Sequence, residues 1–240
     1  MKVFVDGSLG TRTALCDRTY PGVAGAERHG LLRTPGPELQ RLMRTATDNG
    51  LSIAVHTIGD RATALALDAF AGTGCTGRIE HAQQVRPQDL QRFAALGVVA
   101  SIQPRHALDD RDAADTLWAG ATDLAFPYGA LMRAGAQVVL GSDAPVAPLD
   151  PWDAIASAVH RSLDDRPPWH PEQHLTLEQA LSAASGGRRQ VQVGDVADLT
   201  VVADPPAEVL ARDGPAGLRR TEVLATLVGG HFTHRAPGLS

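Results

Sequence analysis

The chain has 240 residues, 43% hydrophobic and 20% charged, a composition that suits one sizeable globular domain or a large domain with a small appendage. The formal net charge of -5 is spread along the chain without a Lys/Arg block, and only 4% of residues are aromatic, which argues against a phosphate-tracking or base-stacking surface and so against a nucleic-acid partner. The opening Met-Lys-Val-Phe-Val-Asp lacks an apolar stretch of signal-peptide length, and the longest near-apolar run, Ala94 to Ile102, is too short to span a bilayer, so no membrane partner and a cytoplasmic location are expected.

Short β-branched runs alternate with amphipathic segments, the pattern of strand-helix units around a parallel sheet. Lys2 to Val5 reads as a strand, followed by a Gly/Thr/Arg-rich loop from Gly7 to Pro37. Leu39, Leu42, Met43 and Ala46 fall at helical spacing between Pro37 and Gly50, the usual proline-in, glycine-out asymmetry. Leu51 to Thr57 reads as a buried strand, and Arg61 to Ala71 as the following helix, stopped by Gly72. Gly77 to His81 is the next strand, with a helix from Pro87 to Leu96 ended by Gly97. Val98 to Gln103 and Gln137 to Gly141 are two more strands, with a helix near Tyr128 to Ala134 between them. One helix follows Pro151, and Thr176-Leu-Glu-Gln has the form of a capping box opening another.

After Gly194 the pattern changes. Asp198 to Ala203, Val223 to Val228 and His231 to Arg235 read as strands joined by turns rather than helices, and Pro205 to Arg220, rich in Pro, Gly and Ala, reads as a surface excursion. Cys16 and Cys75 stand far apart without a CxxC pattern and read as packing residues in a reducing compartment.

Three candidate ligands sit at one kind of place: His56 and His81 close successive strands, and Asp143 follows another. In a parallel α/β barrel the carboxyl ends of the strands carry the active site, so residues remote in sequence converge there. Imidazole and carboxylate suit zinc or a similar cation, which activates water and polarises a carbonyl.

The words around these residues are Lys2-Val-Phe-Val-Asp-Gly-Ser-Leu-Gly-Thr-Arg-Thr-Ala14, Val55-His-Thr-Ile-Gly-Asp-Arg-Ala62, Arg78-Ile-Glu-His-Ala-Gln83, Ser101-Ile-Gln-Pro104 and Gly141-Ser-Asp-Ala-Pro-Val146. In that order they resemble the amidohydrolase superfamily, specifically the amidohydrolase family 3 group that includes N-substituted formamide deformylases. Val193 to Leu199 resembles that family's return into a small β domain. The resemblance implies an α/β fold: a partial TIM-type (β/α) barrel over residues 1–192, its strands like the fourth to eighth of the family, and a small β unit over 193–240. It implies a metal-dependent hydrolase acting on a non-peptide carbon–nitrogen bond of a small-molecule substrate, with one or two divalent ions, zinc foremost. Lys2 would be a carbamylated bridging ligand, His56 and His81 would hold the second metal, and Asp143 would hold the first and act as general base. Arg78 and Glu80 would orient a ligand from behind, Asp60 would pair with Arg61 to shape the metal mouth, and Arg12 would contact substrate. His106, just past a strand, is expected to touch substrate as well.

The family's His-x-His is absent, and five strands are expected where a closed barrel needs eight. The resemblance is therefore to the carboxyl-terminal portion of the family, and open strand edges make a poorly soluble or homo-oligomeric chain the expectation. A fragment that binds metal without turnover, and a barrel hydrolase of another amidohydrolase subclass, are the alternative functions.

Overall fold

A computed structural model describes residues 1–238. Strands β1 (Lys2–Phe4), β2 (Ile53–Thr57), β3 (Gly77–His81), β4 (Val99–Ile102) and β5 (Val138–Leu140) form one parallel sheet in the order β1-β2-β3-β4-β5. Helices α1 (Gly36–Asp48), α2 (Asp60–Thr73) and α3 (Leu90–Leu96) make the first three crossovers. Between β4 and β5 run α4 (His106–Asp109), α5 (Arg111–Leu117) and α6 (Tyr128–Arg133), the first two of which the sequence pattern did not announce. After β5 come α7 (Pro151–Val159) and α8 (Leu177–Ala184), the latter opened by a complete capping box in which Thr176 and Gln179 bond reciprocally.

Strand register explains the layering. Val3, Val55, Ile79, Ala100 and Val138 lie side by side across the sheet, and all five are buried in one cluster with Leu39 and Met43 of α1, Leu67 and Phe70 of α2 and Phe93 of α3. The alternate row runs Phe4, His56, Glu80, Ser101 and Val139, with Lys2, Ala54 and Arg78 one step back along their strands. This second face is polar and partly open: Phe4 is 46% exposed, and Lys2 and Arg78 are exposed as well.

Two expected boundaries move. Gly72 lies inside α2 at an exposed position, with only the end of the Gln40 side chain of α1 near, 3.1 Å from where a Cβ would lie, so it does not stop the helix. The left-handed stop is Gly74, at φ 66°. The stretch expected as a surface excursion is instead α9 (Pro206–Leu218), so a helix and not a turn joins the first two strands of the small sheet. Proline is tolerated in a first helical turn, and Gly214 at φ 64° breaks the helix just before Pro215 restarts it. Val209 and Leu218 are buried, and α9 packs on α7. The small sheet itself is antiparallel, with β6 (Leu199–Val202), β7 (Val223–Val228) and β8 (His231–Arg235) in that order. Among the described residues no helix is long and apolar enough to cross a membrane.

Candidate metal centre

Period-two alternation on β2 places His56 on the open face, with its ring 4.9 Å from that of Phe4 and 4.5 Å from that of His81, centre to centre. His56 Nε2 lies 3.0 Å from the Gly7 carbonyl oxygen. A carbonyl only accepts, so Nε2 carries the proton and Nδ1 keeps its lone pair. That Nδ1 is buried and has no hydrogen-bond partner among the described residues.

His81 reaches the same place by a different route. Its register partner is Thr57, so simple alternation would turn it with Ile79 towards the helices. Instead the backbone turns left-handed at His81, φ 74°, and again at Ala82, φ 45°, and the ring comes to stand between His56 and His106, whose ring centre is 5.9 Å away. Asp143, two residues past Gly141, is also left-handed, at φ 56°. Non-glycine residues held at positive φ cost on the order of 1 to 3 kcal/mol each and gather at functional sites. Ligating atoms of His81, His106 and Asp143 all lie within 4.8 Å of one another. His106, expected as a substrate contact, thus belongs to the donor cluster, while His56 joins it through the ring of His81.

Burial sets the electrostatics. It drives His81 down to about 3, helped by the neighbouring His56 and His106, and it lowers both of those rings too. Neutral imidazoles are the form that donates a lone pair to a metal. His81 Nδ1 and His106 Nε2 are buried without partners among the described residues, as is Oε1 of Gln103, a side chain packed beside His81. An unmet buried polar atom costs about 1 to 3 kcal/mol, so two unmet imidazole nitrogens on rings grouped with one carboxylate make a poor core and a good receptor. The donor set of imidazole nitrogen and carboxylate oxygen fits a divalent cation.

Other expected residues fall elsewhere. Lys2 lies on the open face of the edge strand, with Nζ over the Phe4 ring, 5.1 Å from its centre. Arg78 and Glu80 are ion-paired with each other and hydrogen-bonded to no histidine among the described residues. Asp60 does not pair with the Arg61 guanidinium; its Oδ1 accepts the backbone N–H of Asp17 and of Arg61, each at 2.9 Å, and so ties the long loop to the start of α2. Arg12 is exposed in its loop at φ 58°, without an ion-pair partner among the described residues. Two residues escaped sequence reasoning: Gln103, and Asp6, a fully buried carboxyl that burial pushes up to about 7 while backbone N–H bonds pull it down. Both stood inside the quoted words, but a buried position beside a histidine leaves no mark in spacing.

Parallel strand-helix units with histidine and aspartate donors at the carboxyl ends of the strands define the class of metal-site α/β barrels. Within it the chain belongs to the amidohydrolase family, which it matches over residues 1–234. It is 32% identical to the protein LONG AFTER FAR-RED 3 of Arabidopsis thaliana over 96% of this chain and 42% of that one. It is 30% identical to the putative amidohydrolase YtcJ of Bacillus subtilis, over 98% and 46%. To the N-substituted formamide deformylase of Arthrobacter pascens it is 26% identical, over 99% and 46%. The chain therefore spans less than half the length of these curated relatives. An uncharacterised metal-dependent hydrolase from Pyrococcus furiosus superposes with a TM-score of 0.69 at 34% identity, covering 78% of this chain and 38% of that one.

Proposed function

We propose that the chain carries the metal-binding portion of a hydrolase that cleaves a non-peptide carbon–nitrogen bond, an amide or formamide, in a small molecule. The observation that carries this reading is the convergence of His81, His106 and Asp143 donor atoms within 4.8 Å. The relationship to a named formamide deformylase supports the bond class. Zinc is the cation that best suits this donor mix, and when bound it lowers the pKa of its water to about 7 and polarises the scissile carbonyl. His81 and His106 would hold it, with Nδ1 of His56 as a further donor. Asp143 is the one carboxylate in the cluster, so it takes the proton from water and passes it to the amine nitrogen as the C–N bond breaks, leaving a carboxylic acid and a free amine. Lys2, as a carbamate, would add a second carboxylate after its side chain swings from Phe4 towards His56. Arg12, at the loop beside the mouth, would meet a polar group of the substrate.

Asp143→Asn keeps the shape and removes the base. We expect about a 100-fold or greater loss of formanilide turnover, with zinc stoichiometry by metal analysis reduced at most partly. Turnover unchanged in Asp143→Asn would sink the assignment. A second reading, metal binding without turnover, is favoured by the exposure of Phe4 and Lys2, since an open site does not exclude water. Stoichiometric zinc with no hydrolysis of any amide by the unmodified chain would select it.

A further inference from the structure

Asp6 stands between Val5 and Gly7 just past β1, and its side chain is completely buried. Oδ2 accepts the backbone N–H of Leu15 at 2.8 Å and of Gly59 at 2.9 Å, while Oδ1 accepts that of Ile58 at 3.0 Å. These donors come from two separate segments, the loop after β1 and the turn between β2 and α2. One carboxyl therefore bolts the loop to the turn that leaves His56.

The backbone is shaped for this. A Cβ on Gly59 would lie 2.0 Å from the Leu15 carbonyl oxygen, and one on Gly7 would lie 1.9 Å from Thr13 Oγ1. Glycine at 59 lets the two segments approach closely enough for a single carboxyl to span them, and glycine at 7 lets the loop fold back on Thr13. Once they are locked, the Gly7 carbonyl sits 3.0 Å from His56 Nε2, and Asp6 Oδ1 itself is 3.7 Å from that nitrogen. Both oxygens call for a proton on Nε2, and nothing among the described residues competes for Nδ1.

We propose that Asp6 is a positioning residue that fixes His56 as its Nε2–H tautomer, through the Gly7 carbonyl, and so presents Nδ1 as a free lone pair. This rests on the metal-centre reading only for what Nδ1 is for, and not for the tautomer. A residue of this kind, behind a ligand, typically changes metal affinity by about tenfold to a hundredfold when removed.

The test uses the metal-free 240-residue chain labelled with 15N at histidine, with long-range 1H–15N correlation of the rings and the His56 signals assigned by their loss in His56→Gln. His56 is expected as a pure Nε2–H tautomer in the unmodified chain and as an averaged pair of tautomers in Asp6→Ala and in the isosteric Asp6→Asn. In both variants zinc affinity by titration should fall about tenfold or more while a cooperative melt remains. A merely structural role would lower the melting temperature and leave the tautomer alone. An Nδ1–H or averaged His56 in the unmodified chain overturns the proposal, and this measurement stands even if neither variant folds. So does an unchanged tautomer in folded Asp6→Asn. If the unmodified chain shows the Nε2–H form yet binds no zinc, the metal reading fails and the positioning role survives.

Discussion

The two faces of the five-stranded sheet are cut from alternate residues of the same strands, and they answer to different demands. The helix-facing row of Val3, Val55, Ile79, Ala100 and Val138 is apolar and buried throughout. The opposite row carries Lys2, Phe4, His56, Arg78, Glu80 and Ser101, and mixes exposed charge with buried polar groups. Burial of each large aliphatic side chain on the first face contributes about 1.5 to 3 kcal/mol to folding. On the second face the buried polar groups cost stability and offer chemistry instead, so the fold is held by one side of the sheet and the site is built on the other.

Strand β3 contains both demands within three residues of one another, and three substitutions in it can break the comparison. The largest effect on folding is expected from Ile79→Ala, which empties a fully buried position and should cost about 2 to 5 kcal/mol in chemical denaturation. Zinc affinity of the folded fraction should stay within about twofold of the original. Next comes His81→Asn, for which zinc affinity should fall by about a hundredfold while metal-free stability changes by less than about 1 kcal/mol, because the removed ring bonds no neighbour through Nδ1. A loss of more than 2 kcal/mol in the metal-free protein would place His81 with the scaffold and erase the distinction. The smallest effect belongs to Arg78→Ala: its guanidinium is exposed, so although the buried Glu80 loses its partner the cost should be about 1 kcal/mol in the same denaturation measurement, with zinc affinity unchanged.

Much of the scaffold face was legible. Hydrophobic period and the proline-glycine punctuation located α1 and every strand of the parallel sheet to within a residue or two, and the end of α3, whose start lies three residues later than expected, after a 3-10 turn at Pro87–Asp89. The family words marked His56, His81 and Asp143, but they carried no geometry. Alternation would have sent His81 to the helix side, and only the left-handed turn at His81 and Ala82 brings it back. His106 looked like a residue past a strand; α4 begins on it and turns it into the cluster. Helix α9 was missed because Pro206, Gly214, Pro215 and Gly217 together read as loop, although the first proline occupies a tolerated position and the glycine marks a break between two helical pieces. The lesson is that composition tracks burial on the face that folds the chain, whereas on the face that does chemistry a few backbone angles decide, and these are set by tertiary structure.

Within the described sheet β1 pairs with β2 alone, and this bears on how firmly the groups behind His56 are held. Pairing Lys2 with Ala54 closes a loop roughly twice as long as pairing Ile53 with Gly77, which by itself adds only about 0.6 kcal/mol of chain entropy. Yet β1 gains one neighbouring strand, whereas β2 and β3 each gain two. Among the described strands β1 is thus held by fewer partners than β2 and β3, and the carboxyl of Asp6 and the carbonyl of Gly7 are attached to its end. In native-state hydrogen exchange of this chain the amides of Ile58 and Gly59, which the Asp6 carboxyl holds, are expected to exchange faster than those of β2 and β3, and equal protection would show that this lock is as firm as the helix-packed core.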